Sequence, residues 1–217
     1  MGCSDGAPRI AGNLTTEDWD ERKMLLDGDD ATDADWRKAV DDFFLQRIQK
    51  RYLDPIKILQ VIGDGDGEGF AIVTIQCALI EFLAALRSGK KYTTKRGQVG
   101  ENEYNSCREL FRDFLHPVSP FATCFPSPES AENFYKFIRC GLLHEAQSKS
   151  GWRIRNIGSL PVDHDAKTLN RDSFQRIIER YIDVYVDEIK ESKPLKDAFL
   201  SKFTHICETA LEAPRQP

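Results

Sequence analysis

The run from Phe70 to Leu86 constrains this chain more than any other feature. Ala71, Ile72, Ile75, Ala78, Leu79, Phe82, Leu83 and Leu86 recur at helical spacing and cover most of the circumference. A helix that is apolar on most sides needs neighbours on most sides, so this one belongs at the centre of a bundle. Gly89 supplies its stop. The run is short for a bilayer span and carries Glu81 inside it, which points to a protein core rather than a membrane.

The flanking segments supply the neighbours. Thr32 caps a helix from Asp33 whose apolar positions are Trp36, Val40, Phe43, Phe44 and Ile48. Asp54-Pro55 is expected to interrupt it, leaving Ile56 to Ile62 as a short helical turn or extended piece. Ser106-Cys107-Arg108-Glu109 matches a capping box and opens a helix through Phe111, Phe114 and Leu115. Ser127-Pro128-Glu129 is a further helix start, with a cap, a proline in the first position and an acid in the first turn. Asn170 caps a long helix through Phe174, Ile178, Tyr181 and Tyr185, and Pro194 separates it from a last one, Lys196 to Leu211. Trp152 to Ile157 alternates, and Leu160-Pro161-Val162 follows a Gly-Ser turn, so a small β-hairpin is expected there. The expected architecture is an all-α bundle with that hairpin after the helix that Ser127 opens.

Charge divides the chain. Between Thr15 and Asp42 there are 11 acidic and 4 basic residues, a local charge of −7 in a chain of net charge −5, which leaves +2 elsewhere. Residues 1–31 are expected to form a loose acidic arm with Trp19, Met24 and Leu25 as anchors, and residues 32–217 a single domain. A local RNA-facing patch on the remainder fits this balance. Nothing apolar follows Met1-Gly2-Cys3, and Gly6 stands where a myristoylation signal has Ser or Thr. The six cysteines include no C-x-x-C pair, and Cys77 reads as a small buried thiol. The expectation is a reduced, cytoplasmic protein without a membrane partner.

The segment Asn133 to Ala146 is an amphipathic helix that carries chemistry. Arg139 can hold a phosphate and His144 can move a proton. Together they suit cleavage of RNA by its own 2′-hydroxyl: histidine takes or returns the proton, and the guanidinium stabilises charge on the phosphate. That reaction needs no metal or cofactor. Positions five apart differ by about 140° on an α-helix. Convergence therefore requires Gly141 to loosen the chain, or a two-fold axis that sets Arg139 of one subunit against His144 of another. The plain structural readings are an Arg139–Glu81 ion pair and a helix-terminal His144 bonded to a carbonyl.

Tyr135-Lys136-Phe137-Ile138-Arg139-Cys140-Gly141-Leu142-Leu143-His144-Glu145-Ala146 resembles the R-x4–6-H helix of the HEPN superfamily, and the order of helices from Asp33 to Ser192 is similar too. The resemblance implies a helical bundle that forms homodimers with the Arg139 and His144 motifs facing each other in a cleft. It implies RNA or a nucleotide as ligand. Many members are metal-independent ribonucleases of toxin–antitoxin, phage-defence or RNA-processing systems, which adds an antitoxin-type protein as a partner. Others bind nucleotides or proteins without catalysis. Active members commonly carry Asn, Asp or His after the arginine, where this chain has Cys140.

Other groups have weaker patterns. Lys149, Arg153, Arg155 and the Lys90 to Arg96 loop are candidates for an RNA-backbone patch, with Tyr135 beside the motif as a further binding residue. Cys140 and His144 share a helix face as a thiol–imidazole pair, and with Cys124 they make an incomplete zinc set. Asp64-Gly65-Asp66-Gly67-Glu68-Gly69 resembles the first half of a calcium loop but has Ile75 at the twelfth position, where such a site requires Glu. Asp163-His164-Asp165 reads as a solvated turn.

Overall fold

The computed structural model describes residues 6–28, 30–63, 65 and 67–212. The fold is mostly α. Seven helices stand among the described residues: α1 (Thr16–Leu26), α2 (33–62), α3 (Glu68–Ser88), α4 (Cys107–Leu115), α5 (128–145), α6 (Arg171–Glu191) and α7 (Lys193–Glu212). The apolar run is α3, and α2, α4, α5, α6 and α7 all pack against it. Ile72, Val73, Leu79, Ile80, Leu83 and Leu86 are buried around its circumference. It ends at Gly89, whose φ of 66° is left-handed and whose Cα lies against the Ala198 backbone of α7.

Helix α2 does not stop at Asp54-Pro55. A wide π-turn, Gln49–Leu53, precedes the proline, and the Asp54 N–H donates to the Gln49 carbonyl five residues back. Proline has no N–H and its ring crowds the carbonyl four residues earlier; an extra residue in the preceding turn relieves both and lets the helix run on to Ile62. The expected interruption is therefore a register shift inside one helix.

The described part of the acidic segment is packed rather than loose. Strands β1 (Arg9–Ala11) and β2 (Leu14–Thr15) pair antiparallel, and the Ile10 carbonyl accepts from both Arg47 and Arg51 of α2. Thr15 and Asp18 cap α1 reciprocally. Trp19 is fully buried, edge-on to Phe43 at 5.1 Å and 5.3 Å from Phe203. Met24 and Leu25, the other expected anchors, are exposed.

Two short strands on either side of a long loop, β3 (Lys91–Tyr92) and β4 (Glu103–Tyr104), pair parallel. After α5 come β5 (Arg153–Arg155), β6 (Val162–Asp163) and β7 (Thr168–Asn170), in the order β5-β7-β6. The expected hairpin between the first two is replaced: β7 inserts between them, antiparallel to β6 and parallel to β5. Leu169 is opposite both Ile154 and Val162, so this order joins three apolar side chains in one row over the core.

Candidate functional site

Helix α5 starts as its sequence demands. Ser127 and Ser130 exchange side-chain hydrogen bonds with each other's backbone N–H at 3.1 Å, and Pro128 occupies the first turn. Tyr135–Arg139 then forms a π-turn, closed by the Cys140 N–H on the Tyr135 carbonyl. Ile138 and Leu142 stay buried, and Arg139 stands at the margin of that face, turned to α3.

There Arg139 Nη2 donates to Glu81 Oε2 at 3.0 Å. Glu81 is a shared acceptor, because Tyr104 OH and Cys107 Sγ both donate to its Oε1 at 3.3 Å. The guanidinium carbon lies 5.4 Å from the centre of the Tyr135 ring, which is itself edge-packed on Phe111. The Arg139 and Glu81 side chains are 17% and 22% exposed, so the pair is held in place yet reaches solvent. Burial pulls the Arg139 pKa down, Glu81 raises it, and the net direction is up, so the group is a permanent cation. Burial, and then the Glu81 charge, push the Cys107 thiol up to about 11 and raise Tyr104 as well, which keeps both as neutral donors.

An open depression of about 590 Å³ lies over this group, with Arg139, Tyr135 and Glu81 as part of its floor. Tyr92 of β3 and the segment Asn105 to Arg108, where α4 begins, form its walls. Asn105 Nδ2 donates to the Lys95 and Gly97 carbonyls, tying the basic loop to that wall.

Of the residues expected from sequence, Arg139, Tyr135 and Glu81 meet here, with Arg139 and Glu81 in the expected ion pair, and His144, Lys149 and Arg153 do not. His144 is exposed in the last turn of α5 and is not among the residues lining the depression. Lys149 pairs with Glu145 at 2.5 Å, and Arg153 donates to the Ala166 carbonyl. Tyr92 and Arg108 are the residues that sequence reading missed as site members. The Lys90 to Arg96 loop drew attention by charge, but Arg108 was legible only as part of a helix start.

Gly141 does not loosen the helix. It is buried inside α5, and a Cβ there meets the Gln147 carbonyl oxygen at 2.5 Å. The chain turns back at Ala146 (φ 53°) and crosses close over Gly141, fixed by the Lys149 N–H on the Phe137 carbonyl at 2.8 Å. Gly141→Ala is therefore expected to cost about 1–3 kcal/mol through overpacking against backbone, measured as a lower urea midpoint than that of the wild type.

No protein-family model, curated protein or solved structure matches the chain.

The weaker constellations separate in space. No hydrogen bond joins Cys140 to His144 among the described residues. Cys124 is buried beside the short 3-10 turn Phe121–Thr123. The described residues hold no cluster of three metal-ligating side chains. Asp64 and Asp66 of the calcium-like loop, and Cys3, lie outside the described residues. His164 is not a solvated loop residue: its Nε2 is 2.8 Å from the Cys124 carbonyl, and its ring packs edge-on to Trp152. The acidic segment does not line the depression; α1 packs on α2 and α7. Helix α3 is the one described helix long and apolar enough to cross a membrane, and 56% of its apolar window is buried inside the fold.

The buried thiols predict an alkaline weakness. Burial raises Cys77 far above its ordinary value, Cys107 to about 11 and Cys207 to about 12. Above the ordinary thiol pKa of about 9, the unfolded chain loses these protons while the folded chain keeps them, so stability falls as pH rises. Lys202, lowered to about 8 by burial, and Arg47, lowered to about 10, have the opposite sign, but burial raises Cys124 as well, so four thiols oppose two cations. The urea midpoint is expected to drop between pH 9 and 10.5, and to drop less in Cys77→Ala.

Proposed function

We propose that this chain is a HEPN-like, RNA-directed protein, and that two copies together form a metal-independent endoribonuclease. The observation that carries the reading is Arg139: a permanent cation, oriented by Glu81 and Tyr135, on the floor of an open depression and on the same helix as an exposed histidine. A guanidinium held this way is ready to pair with phosphate oxygens through the face that Glu81 does not use.

His144 stands five residues further along, about 140° away around the helix axis. A homodimer that sets His144 of one copy over Arg139 of the other supplies the missing group. The 2′-oxygen of the bound nucleotide gives up its proton to imidazole and attacks the adjacent phosphorus. The bond to the 5′-oxygen breaks, and imidazolium returns a proton to that oxygen. The products are a 2′,3′-cyclic phosphate and a free 5′-hydroxyl. Arg139 stabilises the additional negative charge on the phosphoryl oxygens as attack proceeds. An antitoxin-type protein that covers this cleft is the partner the reading implies.

A second reading has its own support. Glu81 already offsets the Arg139 charge and His144 lies apart from it, an arrangement suited to a module that binds a nucleotide or a protein partner without cleaving. Incubation of structured and unstructured RNA with the protein in EDTA decides between them. Cleavage by wild type that falls at least about a hundredfold in His144→Ala supports the nuclease. Equal cleavage by both proteins sinks it. Binding that depends on Arg139, without cleavage, selects the second reading.

A further inference from the structure

A second cavity adjoins the Arg139 depression, with Asn105 and Ser106 lining both. It has a volume of about 330 Å³ and lies between the last turns of α3 and helix α4. Ala84, Leu110 and Phe114 give it an apolar floor, and the loop between β3 and β4 adds Val99. Apolar walls that face a gap forfeit contacts that a ligand of matching shape restores.

Of the five charged side chains that line the cavity, three are already compensated. Arg87 Nη1 donates to Glu188 at 2.6 Å, and Asp113 accepts from Arg112 Nε at 2.8 Å. Glu103 accepts from the Gly100 N–H at 3.2 Å and from Lys95 at 3.4 Å. The other two are Lys90, just past the end of α3, and Glu109, in the first turn of α4. Neither makes an ion pair among the described residues. The cavity thus combines one uncompensated cation, one uncompensated anion and an apolar floor, contributed by different elements of the fold.

We propose that this cavity binds a free α-amino acid with an apolar side chain. Its ammonium pairs with Glu109, its carboxylate with Lys90, and its side chain packs on Leu110 and Phe114. A ligand with a single charge satisfies one of the two residues and leaves the other unpaired. A ligand with no apolar part leaves the floor uncovered. An amino acid of leucine or phenylalanine size carries both charges and the apolar group on one carbon. A cavity of about 330 Å³ is at the small end of ligand sites, which suits such a molecule better than a larger one. The inference goes beyond the RNA-directed reading of the Arg139 depression and does not depend on it.

Isothermal titration calorimetry of the full chain with L-leucine and with L-phenylalanine tests the proposal. At least one of them is expected to bind saturably, with a Kd of about 1 mM or tighter. The N-acetyl derivative of the tighter ligand lacks the ammonium, and its amide lacks the carboxylate. Each is expected to bind roughly 10- to 100-fold more weakly than the parent, the effect of one lost charge-assisted hydrogen bond. Glu109→Gln and Lys90→Gln are expected to weaken binding of the parent amino acid by a similar factor. The derivatives probe the same two contacts in the wild-type protein, so the outcome does not hang on the folding of either variant. Absence of saturable binding by both amino acids at about 10 mM overturns the proposal. Full affinity retained by either derivative, or by either variant, overturns it as well.

Discussion

Mixing Arg139→Ala chains with His144→Ala chains is expected to restore RNA cleavage that neither variant has alone. In a two-fold dimer with shared sites, the mixed dimer contains one site with both groups intact and one with neither. Random exchange makes half of all dimers mixed, so about a quarter of wild-type activity should return. The expectation follows from the position of His144: it does not line the depression that holds Arg139, and Gly141 does not bend the helix to bring it there. The measurement is RNA cleavage in EDTA after the two variants are denatured together and refolded. Two inactive variants that stay inactive when mixed would reject the shared site. Partial activity in either variant alone would show that one chain carries enough of the machinery to work by itself.

Trp19→Ala is expected to produce the largest loss of stability, about 3–5 kcal/mol, as for a large aromatic removed from a packed core. Trp19 is fully buried between α2 and α7, 5.1 Å from Phe43, 5.3 Å from Phe203 and 6.0 Å from Phe199. Phe199 and Phe203 themselves pack at 4.7 Å, so truncation opens a cavity that rigid rings close poorly. Urea unfolding with tryptophan and circular-dichroism signals measures the change. The same variant tests how the acidic segment is attached. If Trp19 anchors β1, β2 and α1, its removal exposes the chain near Arg9 to Ala11 to limited proteolysis at denaturant concentrations where the rest stays folded. A loss below about 1 kcal/mol would mean that the segment contributes little to the core.

Helix identities were legible because their signals are local. Thr32, Ser127 and Asn170 each cap the helix that begins after them, and each cap was readable from a single residue and its third neighbour. The Arg139–Glu81 pair was also within reach, since a lone acid in an apolar helix needs a nearby cation. The features that sequence does not announce are non-local. Pro55 is a helix breaker by sequence, but the π-turn before it is a cooperative adjustment of backbone register that no residue type announces. Gly141 reads in sequence as a point where the helix loosens, whereas its lack of a side chain serves the approach of Gln147 six residues later. The strand order β5-β7-β6 depends on Leu169 contacting Ile154 and Val162 at once, a choice among pairings that alternation leaves equal.

The candidate site divides in the same way. The amino-acid sequence by itself determined a helical bundle around the Phe70 to Leu86 run and singled out Arg139 and His144, because apolar periodicity and side-chain chemistry are properties of short stretches. Only the tertiary structure decided which residues accompany Arg139. Beyond the Glu81 and Tyr135 that the sequence already set beside it, Tyr104 and Cys107 reach its partner Glu81 from β4 and α4, and Tyr92 and Arg108 line the same depression, while His144, close in sequence, does not. The physical reason is that a helix sends residues five apart to different faces, whereas the burial of α3 draws β4, the start of α4 and the middle of α5 around Glu81, the one carboxylate inside its apolar run.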